Sequence, residues 1–468
     1  MNIKIGEAKV ICKILHANRK QAYIVGGAVR DLLMRAEPHD VDIATDARPE
    51  DVTMILEANG YKIVPVGEKF GTVAVKDCLM KDFVEVTTFR SEGRYSDKRH
   101  PDHVRYERDL MKDLERRDFT INAMALAFQV DRKNPMQQGQ IIDPFNGRQD
   151  MENKLIRAVG DAEKRFQEDP LRMLRMCRFA SKLGFAIEPD TLEAAKKFNH
   201  LIKEIPAERV KDELFKLLGC FNTYIGLNIM QKSGLMQQIL PEVFALRDIP
   251  QPQKHHKYTA MYHTFETVNA ISEKDVLLRF AALVHDIGKD EVAPNPPPYF
   301  PAHEHKALKM LPAIYERLKL SNDEEQYVTF IVANHMDLFL FHHNFTAKGI
   351  RRLLNKYGEN CKWIQDLITH VEADIIGSGV DRAENANDVA AFRAMVKEVM
   401  DSKEAFSLRQ LAVNGKDLIE IGVPADVTMS KILNQLLVEV IDNPELNTKE
   451  ILIPRAKQLK LLETSVPI

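Results

Sequence analysis

Cysteine is scarce and unpatterned in this chain of 468 residues: Cys12, Cys78, Cys177, Cys220 and Cys361 are odd in number and widely spaced. They form neither a disulfide framework nor a CxxC metal knuckle, which points to a reducing, cytoplasmic setting. Long apolar runs are missing as well. The longest, around Leu277–Val284 and Ile432–Ile441, are short or broken by charge, so no membrane partner is expected. Met1–Lys20 carries charges throughout and lacks the apolar core of a secretory signal. Neither sign of charge dominates. Sixty-five basic against 68 acidic residues leave −3, so a nucleic-acid partner needs a local basic surface. No repeat or low-complexity tract occurs, and 45% hydrophobic with 28% charged residues exclude a disordered or fibrous chain. At roughly 150 residues per domain, two to four domains are expected.

The first part of the chain alternates β-branched runs with helical patterns. Strands are expected at Ala22–Val25, Val41–Ala44, Lys62–Val66, Thr72–Val75 and Phe83–Thr87. Helices are expected at Gly6–Asn18, Ala28–Arg35 and Pro49–Asn59, the last opened by Pro49 and stopped by Gly60. From Met151 onward strand patterns almost vanish and helical periodicity dominates, as in Asp169–Leu183, Thr191–Phe198 and Ala207–Leu218. Ile249–His256 and the proline-rich Ala293–Pro301 read as linkers. The fold expected is α+β and mostly α: a small α/β head with a mixed sheet, then a long all-helical neck, body and tail.

Gly26-Gly27 lies between a strand and a helix that carries Arg30. Such a turn lets backbone amides approach a phosphate, although a tight connection alone would explain it. Shortly after comes Asp40-Val41-Asp42. On a strand, residues i and i+2 share a face, and two adjacent carboxylates repel unless a cation bridges them. Mg²⁺ takes hard oxygen ligands together with substrate phosphates. A solvated acidic pair is the plainer reading of these two aspartates by themselves.

In the helix that opens at Glu168-Asp169-Pro170, Asp169, Arg172 and Arg175 step by three into one polar stripe, with Leu171, Leu174 and Cys177 on another face. A structural ion-pair network accounts for these charges. So does a chemical alternative. A carboxylate accepts from the exocyclic amine of cytosine or adenine while a guanidinium donates to the neighbouring ring acceptor. Uracil and guanine would turn a carbonyl toward that carboxylate, so an Asp–Arg pair could select CTP and ATP without a template.

These motifs, with Gly67-Glu68-Lys69-Phe70-Gly71-Thr72, Glu85–Arg90 and Arg116-Arg117-Asp118-Phe119-Thr120-Ile121-Asn122-Ala123, occur in fixed order. Together they resemble the class II CCA-adding tRNA nucleotidyltransferases and their poly(A) polymerase relatives, continuously to about Leu218. The resemblance implies that Asp40 and Asp42 hold catalytic Mg²⁺ and that Gly27, Arg30, Arg117 and Asn122 contact the incoming nucleotide. It further implies Asp169 and Arg172 as the base-reading pair, with Arg175 and Arg178 supporting base or triphosphate. Glu85 is a candidate third carboxylate, a partly exposed strand residue being the alternative, and Glu208-Arg209 resembles a motif that braces the neck. The charged loop Arg90–His100 resembles one associated with switching from C to A addition; a solvated loop also fits. The partners implied are tRNA, CTP and ATP, with no obligate protein partner. Poly(A) polymerase or a partial CC- or A-adding enzyme is the alternative, and Gly67–Val73 looks like the CCA-adding version.

Further on, Leu283-Val284-His285-Asp286-Ile287-Gly288-Lys289 resembles the HD metal-dependent phosphohydrolases. His263, His285, Asp286 and Asp374 are the implied metal ligands, His303 and His335 being spaced as additional ones. The metal's identity is open, as is a purely structural role. The expected organisation is a catalytic head over 1–150, a base-selecting neck over 151–250, an HD-type helical domain over 251–380 and a tRNA-binding tail over 381–468. In the tail, Asn414-Gly415-Lys416 and Gly422-Val423-Pro424 suggest paired helices that present amides to RNA phosphates or simply pack.

Overall fold

The computed structural model describes residues 3–64, 71–76, 83–92, 104–128, 139–254, 256–292, 300–338, 345–380, 383–402 and 404–464. The chain forms two compact units, Met1–Phe244 with Arg317–Lys319, and Ala245–Glu316 with Leu320–Ile468.

The first unit begins with the helix Ile3–Ala17. Its strands are β1 (Ala22–Val25), β2 (Asp42–Thr45), β3 (Lys62–Val64), β4 (Thr72–Lys76), β5 (Val84–Thr88), β6 (Arg90–Glu92), β7 (Val104–Tyr106), β8 (Ala125–Ala127), β9 (Gln140–Ile142), β10 (Leu155–Ile156) and β11 (Ala186–Ile187), the last two a short parallel pair in the neck, which is therefore not wholly helical. Seven of them make one sheet in the order β3-β4-β5-β2-β1-β8-β9. The sheet is mixed, as expected: β2 and β5 run parallel, whereas β1 runs antiparallel to β2 and β8. Period-two alternation sorts the side chains. Ile24, Ile43, Val73 and Val86 pack with Ile11, Leu15, Val52 and Leu56 of the helices Ile3–Ala17 and Pro49–Glu57. Val25, Ala44 and Ala125 face Phe89, Leu110 and Leu114 on the other side.

The expected strands sit within one or two residues of the observed ones. Pro49 opens its helix, and Gly60, at φ 86°, ends the turn after it. Arg90–Glu92, taken as the start of a loop, is a strand hydrogen-bonded to Val104–Tyr106, because main-chain pairing outweighs its polar composition; residues 93–100 lie outside the described residues. So do residues 65–70, which hold the end of the third expected strand and most of the Gly67–Val73 motif, and residues 293–299 of the second linker.

The neck helices are Ala162–Glu168, Leu171–Leu183, Pro189–Phe198, Ala207–Leu218 and Thr223–Lys232. Asp161 caps the first through the amides of Glu163 and Lys164, and Gly184, left-handed at φ 68°, ends the second.

In the second unit, helices Ala260–Ala270 and Ile364–Gly377 approach so closely that a Cβ on Gly377 would meet the Thr267 amide at 2.7 Å. The tail packs Leu418, Ile432, Leu436, Val440 and Leu452 between Gly415–Glu420, Val427–Asp442 and Lys449–Thr464. Ile249–His256 is not a free linker: Ile249 and Gln251 are buried, and the Ile249 carbonyl accepts from the Ala260 amide at 3.0 Å. Cys12, Cys177, Cys220 and Cys361 are free thiols, and Cys78 lies outside the described residues. Among the described residues no helix is long and apolar enough to cross a membrane.

Candidate functional site

The first unit holds an open cavity of about 490 Å³ whose walls come from several stretches of the chain. The glycine turn supplies Gly26, Gly27, Arg30 and Asp31, the aspartate segment His39, Asp40 and Asp42, and the Arg116–Asn122 segment meets the neck helix there. Asp42 opens β2, while exposed Asp40 precedes the strand instead of sitting on it. Burial raises the Asp42 carboxyl above its ordinary range; Arg117 opposes this and Asp40 adds to it. Parallel pairing puts Glu85 opposite Asp42. Its carboxyl is raised by burial and then by the charges of Asp42 and Asp40. Three carboxylates that resist sharing negative charge form a hard-oxygen set suited to a divalent cation.

Gly26 is a left-handed residue at φ 74°, and a Cβ there would meet Arg117 Nη1 at 2.8 Å and Asp42 Oδ2 at 3.8 Å. The positive φ calls for glycine, and the Arg117 guanidinium lies close against the turn. Arg117 is held from behind by Asp113 Oδ2 at 3.2 Å, and Arg116 by Asp113 Oδ1 at 2.7 Å. Buried Arg30 donates from Nη2 to Asp31 at 2.6 Å and from Nη1 to Asn122 Oδ1 at 2.7 Å. Asn122 in turn donates to Asp118 Oδ1 at 3.1 Å, and Arg175 donates to Asp118 Oδ2 at 2.7 Å. Burial alone would raise the Asp118 carboxyl, but Arg175 and Asn122 lower it to about 2. Arg178 pairs with Glu213. Arg30, Arg175 and Arg178 all lie over the ring of Phe179, at 5.3, 5.4 and 4.3 Å from its centroid.

Asp169 and Arg172 line the same cavity, though not as the helical stripe expected. Asp169 has extended backbone (φ −137°, ψ 97°) between two helices, because Pro170 follows it and disfavours helical geometry. Nor do the two side chains pair with each other. Asp169 accepts from the Leu171 amide at 3.1 Å and from Arg209 at 3.2 Å. Arg172 donates from Nη1 to Glu168 (3.0 Å) and the Arg165 carbonyl (3.2 Å), and from Nη2 to the Arg116 carbonyl (2.8 Å). Each is anchored by its own partners and keeps hydrogen-bonding capacity in reserve, lone pairs on Asp169 and N–H groups on Arg172.

The second unit gathers His263, His285, Asp286 and Asp374, together with His303 and His335. His285 Nδ1, His303 Nδ1 and His335 Nδ1 lie 2.7, 2.9 and 2.8 Å from the carbonyls of Ala282, Phe300 and Val332. A carbonyl can only accept, so each Nδ1 carries hydrogen and each neutral ring presents a bare Nε2. His303 Nε2 and His335 Nε2 then face each other at 3.0 Å, and His285 Nε2 lies 3.2 Å from both Asp286 Oδ2 and Asp374 Oδ1. Lone pairs this close call for a positive charge between them. Burial disfavours charge on His285, but Asp286 and Asp374 raise it to about 10, so with no metal bound its Nε2 would take up a proton between the two carboxylates. Gly288 makes the cluster possible: a Cβ there would strike the His303 carbonyl at 2.0 Å. The donor set fits a divalent metal.

Several participants were not legible beforehand. Lys289 donates to Asp286 at 2.6 Å and to Gln251 at 2.9 Å. His370, one helical turn before Asp374, lies fully buried against the His285 ring at 4.9 Å, with no hydrogen-bond partner for either nitrogen among the described residues. The i, i+4 spacing of His370 and Asp374 was a visible signal. Nothing in the sequence marked Glu168 and Glu213 as anchors.

Known proteins resemble this chain over most of its length. Residues 22–157 match the Poly A polymerase head domain, and 184–246 match the probable RNA and SrmB-binding site of polymerase A. The CCA-adding enzyme of Ligilactobacillus salivarius is 34% identical over 451 residues, 95% of this chain and 94% of that protein. That of Geobacillus stearothermophilus is 45% identical over 229 residues, 49% of this chain and 53% of that protein. Among solved structures, the Bacillus stearothermophilus CCA-adding enzyme in complex with CTP aligns at a TM-score of 0.71 with 29% identity, covering 99% of both chains. The Thermotoga maritima CCA-adding enzyme complexed with tRNA shares the fold at 0.62 and 19% identity, over 98% of this chain and 96% of that one.

Proposed function

The chain belongs to the CCA-adding enzymes, and on that premise we propose that it builds or repairs the 3′-terminal CCA of tRNA from CTP and ATP without a template, in the cytoplasm. The observation that carries this reading is one cavity lined by both the Asp40–Asp42 pair and the Asp169–Arg172 pair. In the reaction the tRNA 3′-hydroxyl attacks the α-phosphate in line, its oxygen forms the new P–O bond, and pyrophosphate leaves. Asp40 and Asp42 would hold a divalent cation, Mg²⁺ by the hardness of its ligands, which supplies charge neutralisation at the phosphate and an acidified hydroxyl. Arg30 and Arg117 orient the triphosphate, with Asn122 steadying Arg30. Asp169 accepts from the base amine, Arg172 donates to the ring, and Arg175 and Arg178 support the nucleotide. Because Asp169 and Arg172 are anchored separately, their edge stands ready before the base arrives and little is lost in ordering it. We assign catalysis to 1–150, base selection to 151–250 and tRNA binding to the tail, 381–468.

The test supplies tRNA ending at its discriminator base with labelled CTP, ATP or both. Ordered C, C, A addition supports the proposal; long A tracts would mean poly(A) polymerase, CC alone a partial enzyme, and no extension an RNA-binding role. For the second unit we propose an HD-type phosphohydrolase centre, on the converging bare Nε2 atoms described above. A divalent metal there would supply a water activated for attack on a phosphate. Release of phosphate from a monoester, or opening of a 2′,3′-cyclic phosphate to a monoester, lost in Asp286→Asn, tests it.

A further inference from the structure

Among the described residues, every arginine of the nucleotide cavity is paired with a carboxylate, and one other cation is not. All seven arginines that line it have a carboxylate partner: Asp31, Asp113, Glu168, Asp118, Glu213 or Asp169, with Asp113 serving two. Lys182 also lines the cavity, and among the described residues it has no carboxylate and no hydrogen-bond acceptor. It is exposed, so its ammonium is hydrated and ready to exchange water for an anion.

Its position on the helix Leu171–Leu183 gives that anion an address. Arg175, Arg178 and Lys182 recur at i, i+3 and i+7, one face of the helix. At 1.5 Å per residue Lys182 lies about 15 Å along the axis from Arg172, the base-reading end. Arg30, from the helix that follows the glycine turn, sits over Phe179 and so is level with the turn next to Lys182. A nucleotide whose base meets Asp169 and Arg172 and whose phosphates meet Arg30 thus points its tail toward Lys182. We propose that Lys182 binds the terminal phosphate oxygens of the incoming nucleoside triphosphate. This rests on the nucleotidyltransferase reading and adds a contact to it. Lys182 supplies a point charge where the arginines, already engaged, supply fixed geometry. The ordinary alternative is a lysine that merely complements the negative end of its helix.

Titration calorimetry of the full-length protein with CTP, ATP and CMP separates the two. Lys182→Ala should weaken CTP and ATP about five- to tenfold, the loss of one solvated charge-assisted contact, and leave CMP unchanged. Lys182→Arg should restore most of the loss. Unchanged CTP affinity in Lys182→Ala would overturn the proposal, and so would CMP weakened as much as CTP. Loss of tRNA affinity with a shallower salt dependence and intact CTP binding would also overturn it, giving the charge to the RNA backbone instead. A wild-type protein that binds CTP yet extends no tRNA would defeat the functional reading while leaving the phosphate contact testable in the same titrations.

Discussion

In the cavity of the first unit each arginine is paired with a carboxylate, whereas in the histidine cluster of the second unit bare ring nitrogens and carboxylate oxygens converge with too few hydrogens between them. The first arrangement is stable before ligand arrives, since the counter-charges lie in the protein and the cavity stays open to water. The second is balanced only in part, by Lys289 at Asp286, and its histidines are buried. An open, pre-paired site suits a large anion that must enter and leave. A closed, unbalanced one suits a small cation that stays.

The sharpest way to break this contrast is at Asp42. Asp42→Ala should abolish nucleotide transfer while leaving tRNA binding measurable by filter retention; residual transfer within tenfold of wild type would remove the aspartate pair from catalysis. Next in size is base choice. Asp169→Ala should relax discrimination against UTP and GTP by about 5- to 150-fold, the worth of one bidentate base contact, read in competition assays. Arg209→Ala should do the same more mildly, because Asp169 keeps the Leu171 amide.

For the closed site, added Mn²⁺ should raise the melting temperature of the wild type, in line with about 3 kcal/mol at a hundredfold excess over Kd. The part of that response that survives in Asp42→Ala should vanish when either His285→Ala or Asp374→Asn is added, and each of these two alone should leave CTP addition to tRNA unaffected. A response that persists in both would show that the cluster binds no metal.

The smallest effect tests the pre-pairing itself. Asp118 is depressed to about 2 in the folded chain, below its ordinary value, so its contribution to stability is complete above about pH 4 and lost as pH falls through about 2. That contribution is about 2 kcal/mol. The difference in stability between wild type and Asp118→Asn should shrink across that window in urea titrations; a constant difference would mean that Arg175 does not hold the carboxylate.

Much of the site could be read in advance because its parts are local. Gly26-Gly27, Asp40 and Asp42, and Asp169 with Arg172 each announce themselves within a few residues, and the strands around them follow from β-branched alternation. What misled was the assumption that neighbours in sequence are partners in space. Asp169 and Arg172 looked like a pair on one helix, yet Pro170 breaks the helix between them and each finds an anchor elsewhere. Glu85 became significant through parallel strand register with Asp42, and Gly288 through the close passage of His303.

Helix and strand positions, the all-helical second half and the candidate ligands were set by sequence, since turn chemistry, side-chain period and residue type act over a few positions. The choice of counter-ion for each arginine, the facing of His303 and His335, and the isolation of Lys182 were settled by tertiary structure. Those depend on which distant segments share a few cubic nanometres, and Coulomb and hydrogen-bond energies at about 3 Å carry no trace of separation along the chain.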